Sequence, residues 1–87
     1  MKPLKLGVNL ESRENKELRE KVNKRFSQRL RQVRKQKKMT QQELAEAASL
    51  HITYIGHLEL GKYHPTLFTV WKIAKALGVP VGDLADL

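Results

Sequence analysis

The sequence predicts an all-α fold of about five helices in one small domain. Its 87 residues allow a single domain, and a hydrophobic share of 40% is enough for a modest core. Apolar residues recur three or four positions apart in several segments, which is the spacing of one helix face. Residues that typically start or end helices separate these segments, and the chain shows no strand-like alternation.

The first predicted helix runs from about Asn15 to Lys38. Glu17 and Lys21 form an i,i+4 pair of opposite charge that supports its first turns. A stripe of apolar residues follows at spacings of four, four, four and three, and we expect all of it to be buried. The stripe consists of Leu18, Val22, Phe26, Leu30 and Val33.

The chain before this helix is expected to be a flexible N-terminal arm, residues 1–15, followed by the folded domain, residues 16–87. Residues 1–11 contain Pro3 and Gly7 and show no periodicity. They lack the apolar run of a secretory signal, and no stretch of the chain approaches the roughly 18 apolar residues of a membrane span. Together with the absence of cysteine, this predicts a soluble cytoplasmic protein, located at the nucleoid if it binds DNA.

Two short helices are predicted next. Thr40 and Glu43 form a capping box for a helix over residues 41–48, since the hydroxyl and the carboxylate can each accept from the other's backbone amide. A second helix covers about residues 51–60 and ends at Gly61. The residues expected to face inward on these two helices are Leu44, Ala45, Ala48, Ile55 and Leu58.

A fourth helix is predicted to begin after Thr66, its N-cap, and to end at Gly78. A last turn or short helix near residues 80–87, with Val81 and Leu84 turned inward, completes the five. The buried face of the fourth helix is predicted to comprise Leu67, Val70, Ile73, Ala74 and Leu77.

Positive charge is concentrated in the first half of the chain. Residues 1–39 carry 14 basic and 4 acidic side chains, whereas residues 40–87 carry 3 and 5. Eight basic residues between positions 24 and 38 have no acid between them, and such a chain repels itself unless an anion binds there. A solvated helix face is the simpler explanation, but the one-sided excess favours nucleic acid.

The helices over residues 41–48 and 51–60 form a predicted helix-turn-helix, because a turn of only a few residues joins them. From Thr40 to Val79 the sequence resembles the XRE-like family of Cro and phage repressors. The resemblance covers about residues 24–84 and rests on a T-Q-x-x-L-A start, Y-I in the second helix, E-x-G-x-x-x-P and K-I-A-x-A-L-G-V. It implies a compact five-helix, lambda-repressor-like domain that binds duplex DNA, usually as a homodimer on a palindromic operator.

With Ile55 and Leu58 inward, the opposite face of the second helix is available to the major groove. Thr53 can hydrogen-bond a base edge, Ile52 can contact a thymine methyl, and His57 can donate to a purine. The predicted base-contacting residues are His51, Ile52, Thr53 and His57, with Gly56 leaving a gap for a base edge or sugar.

Phosphate contacts are expected beside the groove. Gln41 lies at a helix N-terminus, where free amides and the helix dipole favour an anion, and the resemblance implies that this position binds the DNA backbone. Tyr54, Lys62 and His64 are further phosphate candidates, as hydroxyl or cationic donors near the recognition helix.

Two other pairs are expected to shape the domain. The resemblance implies an ion pair between Arg34 and Glu59 that braces the first helix against the recognition helix. Phe68 and Trp71 lie three positions apart on the fourth helix. Either these two aromatics form a dimer interface, or Trp71 is partly buried against the last turn of the chain.

The sequence departs from the family pattern at three positions. Ser49 occupies a turn position usually held by glycine and costs about 1–2 kcal/mol if the backbone there is left-handed. Ile52 and Leu60 stand where relatives often have polar residues. These changes affect the operator that is recognised, not the fold.

The expected function is that of a sequence-specific transcriptional regulator, a repressor acting as a homodimer. The alternatives are an antitoxin-type module with a toxin-like partner and autoregulatory DNA binding, or a basic protein that binds any nucleic acid. No cofactor, metal, small-molecule ligand, membrane partner or enzymatic activity is expected. His51, His57 and His64 lack the i,i+4 spacing of a helical metal pair, and no nucleophile is accompanied by a base and an orienting acid.

Overall fold

The structure, a computed structural model, describes residues 12–85; most of the predicted arm, residues 1–11, and the last two residues of the predicted domain lie outside this range. The described chain forms four α-helices and one 3₁₀ turn. These are α1 (Arg13–Gln36), α2 (Gln41–Ala48), α3 (Ile52–Glu59), α4 (Leu67–Leu77) and the 3₁₀ turn Val81–Asp83.

The expected count of five helices is therefore wrong within the described residues, because of the two alternatives near residues 80–87 the structure has the turn, a single 3₁₀ turn. Pro80 has extended backbone angles and begins the turn. The amides of Asp83 and Leu84 then bond the carbonyls three residues back, of Pro80 and Val81, at 3.0 and 2.9 Å. This i→i+3 pattern is that of a 3₁₀ turn, and such turns stay short because their hydrogen-bond geometry is poor.

Helix α1 begins slightly earlier than expected and is only partly covered. The Ser12 hydroxyl accepts a hydrogen bond from the Asn15 amide at 3.1 Å, which places the start at Arg13. The predicted burial of Leu18 and Val22 is wrong, because their side chains remain 60% and 39% exposed. The other three members of the apolar stripe are buried, as expected: Phe26, Leu30 and Val33.

The core lies between the C-terminal half of α1 and the three shorter helices. Burial of each large aliphatic side chain contributes about 1.5–3 kcal/mol. The predicted burial of Leu67 is wrong, because the first residue of α4 lies at the edge of the domain and is exposed. The largest fully buried side chains are Leu30, Leu44, Ile55, Leu58, Ile73 and Leu84.

Local capping signals are realised as expected. Thr40 and Glu43 form both hydrogen bonds of the capping box, at 3.0 and 2.8 Å. The Thr66 hydroxyl accepts from the Thr69 amide at 3.1 Å, and Gly78 ends α4 with a left-handed backbone, φ 71°. None of the described helices combines the length and apolar character needed to cross a membrane.

Candidate nucleic-acid interface

Helices α2 and α3 form a helix-turn-helix with a three-residue turn, residues 49–51. Ser49 is left-handed at φ 55°, so this position carries the strain of about 1–2 kcal/mol that glycine would avoid. The turn is nevertheless closed, because the Leu50 amide bonds the Ala45 carbonyl at 2.8 Å. Two faces of α3 result: Ile55 and Leu58 are completely buried, and the opposite face is open.

The first turn of α3 is the most open part of that face. His51 is its N-cap, and the ring Nδ1 accepts a hydrogen bond from the Thr53 amide at 3.1 Å. Ile52 is 38% exposed although it is apolar, and Thr53 is exposed. Three of the four predicted base-contacting residues therefore lie together at one end of the helix.

His57, the fourth, lies between one and two turns further on and is partly covered by an aromatic neighbour. The edge of its ring meets the Tyr63 ring, with centroids 5.1 Å apart and planes at 64°. The Tyr54 ring stacks on Tyr63 at 5.9 Å. Sequence reasoning missed Tyr63, although an aromatic residue between Lys62 and His64 was a signal that this loop packs on α3.

A buried polar network joins the first three helices. The Arg34 guanidinium donates to both Glu59 carboxylate oxygens, at 2.6 and 3.1 Å, and to the Met39 carbonyl at 2.8 Å. Gln41 Nε2 donates to Glu59 Oε1 at 3.1 Å. The hydrogen bonds to Glu59 raise the pKa of Arg34 above its ordinary value, although burial opposes the shift. The expected pair is thus brought together, and it also fixes the side chain of Gln41.

The gap expected at Gly56 is bordered by this same glutamine. A Cβ atom added to Gly56 would lie 3.9 Å from Gln41 Oε1 and 4.0 Å from Nε2, which is ordinary contact. The position is therefore small but not sterically closed to alanine.

The other phosphate candidates lie on or beside the loop after α3. Gly61 is left-handed at φ 76°, and the Lys62 amide bonds the His57 carbonyl at 2.9 Å. Asn23 of α1 donates to the Gly61 carbonyl at 3.3 Å, which ties the loop to the first helix. Lys62 is exposed, whereas His64 turns towards α1, with Nε2 3.5 Å from Arg19 Nη1.

Phe68 and Trp71 form an exposed aromatic pair on α4. Their rings stack with centroids 6.0 Å apart, and 65% and 47% of the two side chains remain exposed. The ammonium groups of Lys72 and Lys75 lie 5.5 and 5.2 Å from the two ring centroids. Trp71 also borders a shallow groove with residues 47–49.

Comparison with known proteins also identifies a helix-turn-helix in this chain. A family model described as helix-turn-helix matches residues 30–84. The chain is 43% identical over 57 residues to the immunity repressor protein of Bacillus phage phi105, covering 66% of this chain and 40% of that protein. It is 45% identical over 62 residues to the control protein C.BamHI of Bacillus amyloliquefaciens, covering 70% and 76%.

A solved structure agrees with this relationship. The restriction-modification controller protein C.AhdI from Aeromonas hydrophila has 34% sequence identity and a TM-score of 0.69, over 70% of this chain and 92% of that one. The family match contains α2, α3 and α4 but leaves out most of α1. The chain belongs to the helix-turn-helix family, in the XRE-like group of Cro and phage repressors, whose members are DNA-binding transcription regulators.

Proposed function

We propose that this protein is a sequence-specific repressor that places α3 in the major groove of duplex DNA as a homodimer on a palindromic operator. The observation that carries the proposal is the two-faced α3. Ile55 and Leu58 anchor one face in the core, while His51, Ile52 and Thr53 are exposed at the helix start. Recognition helices of this motif contact base edges with their N-terminal residues.

The exposed residues favour thymine-containing steps. Ile52 has no hydrogen-bonding group and can contact only apolar surface, which in the major groove is the thymine methyl. Thr53 offers both a methyl group and a hydroxyl. The Nδ1 atom of His51 already accepts from the Thr53 amide, which leaves Nε2 to contact DNA.

Gln41, Tyr54 and Lys62 are proposed to bind phosphates on either side of this readout. The Gln41 side chain is held by Glu59, so the N-terminus of α2 is presented in one orientation relative to α3. Tyr63 holds Tyr54 and His57 by ring contacts and limits where the phenol and the imidazole can reach. His64 is the weakest candidate because its ring lies beside Arg19.

The aromatic pair Phe68–Trp71 is the proposed dimer contact. Exposed aromatic residues are enriched at protein interfaces, and two such pairs related by a twofold axis would bury each other. A dimer formed in this way has to present its two α3 helices about 34 Å apart, which is one turn of duplex.

The test is a selection of bound sequences from a random duplex pool at about 150 mM salt, where binding to arbitrary DNA is weak. A palindromic consensus with half-sites about one turn apart is the expected result. Absence of enrichment, with binding that disappears as salt rises, would contradict sequence-specific regulation and favour a non-specific binder.

The dimer is tested separately. Phe68→Ala combined with Trp71→Ala should shift the sedimentation behaviour from dimer to monomer and weaken binding to a full operator more than to a half-site. Phe68 is so exposed that its truncation leaves the core intact. A double variant that remains a dimer would show that the dimer contact lies elsewhere.

A further inference from the structure

An apolar groove runs along the N-terminal half of α1, outside the helix-turn-helix. It has a volume of about 560 Å³. Leu18 and Val22 form one wall and are 60% and 39% exposed, while Pro65, Val70 and Leu84 contribute to the rest. No described residue of α3 lines the groove, and all of its lining residues on α1 precede the residues matched by the family model.

This groove is the unpartnered continuation of the core. The stripe that buries Phe26 continues towards the N-terminus at the same spacing, but no described element packs against Leu18. An exposed stripe of this kind is ordinarily covered by another segment or molecule. The chain that precedes α1 contains a segment whose composition suits this exposed stripe.

Although residues 1–11 show no helical periodicity, residues 4–10 have an alternating pattern in the sequence. Apolar side chains occupy every second position there, and in an extended chain such positions share one side. Only one charged residue, Lys5, lies among them. The four apolar residues are Leu4, Leu6, Val8 and Leu10.

The lengths match. Residues 4–10 extended span about 20 Å. Ser12 begins α1, and Leu18 and Phe26 follow its N-cap by about 9 and 21 Å along the helix. A chain that reversed direction before Ser12 would therefore be long enough to run beside Leu18 and Val22 and to reach Phe26.

A second copy of α1 fits the groove less well. The helix carries ten basic and three acidic side chains, so two copies packed side by side bring like charges together. Residues 4–10 bring a single charge and are already tethered to the end of the groove, which gives them a high effective concentration.

We propose that residues 4–10 of the same chain bind in the groove formed by α1 and the residues around Pro65 and Leu84, with their apolar side chains on Leu18 and Val22. This N-terminal strap extends the core beyond the family domain and holds the first turns of α1 in place. The proposal does not depend on DNA binding, and its tests require no DNA.

The first test is a double-mutant cycle in the full chain, using Leu6→Ala and Leu18→Ala, because alanine preserves helix propensity at position 18. Each single variant is expected to raise the unfolding equilibrium constant about tenfold, and the double variant little further, because both remove one contact. The control is Leu67→Ala, at an exposed leucine of α4 that does not line the groove. The factors by which Leu67→Ala and Leu6→Ala change the unfolding equilibrium constant should multiply in the double variant. Independent effects of Leu6→Ala and Leu18→Ala would overturn the proposal.

The second test uses the absence of native cysteine. The variant Leu6→Cys with Val22→Cys should form an intramolecular disulfide on mild oxidation. Leu6→Cys with Ala47→Cys, an exposed position of α2 outside the groove, should do so several-fold less. Predominant disulfide-linked dimers in the first variant would assign the groove to a second copy of the chain. Equal cross-linking in both variants would show that residues 4–10 do not bind specifically in the groove.

Discussion

Val22 and Ile52 are both β-branched and almost equally exposed, at 39% and 38%, but they lie in regions of different kinds. Val22 lines an apolar groove beside α1. Ile52 lies in the first turn of α3 between a polar N-cap and an exposed threonine. Exposure alone does not distinguish a missing intramolecular partner from a contact surface for another molecule; the neighbouring residues do.

The ion pair between Arg34 and Glu59 joins α1 to α3, the two helices that carry these regions, and breaking it should have the largest effect. Arg34→Met leaves the Glu59 carboxylate buried, with Gln41 as its one remaining partner among the described side chains, at a cost of about 3–5 kcal/mol. That is a large part of the stability of a small domain. Thermal unfolding measures the change, and Arg31→Met, at an exposed position of the same helix, should alter stability by no more than about 0.5 kcal/mol. Equal melting temperatures for the two variants would contradict the bracing role.

The pH dependence of this pair has a definite sign. The pKa of Arg34 is raised in the folded state, so its contribution is complete below the ordinary pKa of arginine. The contribution is lost only as the pH rises through the higher folded value. Titration of Arg34 should therefore not alter stability between about pH 6 and pH 9. A loss of stability in that range that Arg34→Met abolishes would contradict the assignment.

Truncation of Val22 and Ile52 in parallel tests whether the two regions have different roles. Ile52→Ala should cost about 1 kcal/mol of operator binding and relax the preference at one base pair, with little change in stability. Val22→Ala should do the reverse and cost about 1 kcal/mol of stability with the operator preference unchanged. Binding titrations give the change in operator affinity of each variant, and urea unfolding gives the change in its stability. A loss of operator preference in Val22→Ala would remove the distinction between the regions.

A smaller effect is expected at Gly56, where folding and binding should respond in opposite directions. Gly56→Ala places a methyl group at ordinary contact distance from Gln41 and improves helix propensity, which stabilises the domain by about 0.5–1 kcal/mol. If a base edge or sugar approaches this position, operator affinity falls while the melting temperature rises. Unchanged affinity in the stabilised variant would exclude Gly56 from the close approach.

The smallest change should appear in the salt dependence of binding. Lys62→Gln should reduce the slope of log affinity against log salt by about one, without altering the preferred sequence. Lys21→Gln, on the half of α1 that lines the groove, is the matched control and should leave the slope unchanged. An equal reduction in both variants would show that the N-terminal half of α1 also contacts DNA.

Element boundaries were predictable wherever a local signal sets them. The bounds of α2 follow from the Thr40–Glu43 capping box, and those of α4 from Thr66 and Gly78, because these hydrogen bonds and backbone angles involve residues at most three or four positions apart. The site was predictable to the extent that it lies on these helices. The placement of His51 and Thr53 at the start of α3 follows from the same short-range logic.

Burial at the edges of the domain was not predictable in this way. Leu18 and Leu67 have the periodicity of core residues but lie where no described element covers them. The packing of Tyr63 on Tyr54 and His57 joins a loop to a helix and leaves no periodic trace in the sequence.

By itself, the sequence determined the all-α class, the helix-turn-helix and its family, because capping, periodicity and motif spacing are properties of neighbouring residues. The tertiary structure alone decided which part of the α1 stripe is core, that Glu59 binds Gln41 as well as Arg34, and that Trp71 lies beside α2. The physical reason is that a helix pattern specifies which side of a helix is apolar. Whether that side is covered depends on how far the other helices extend.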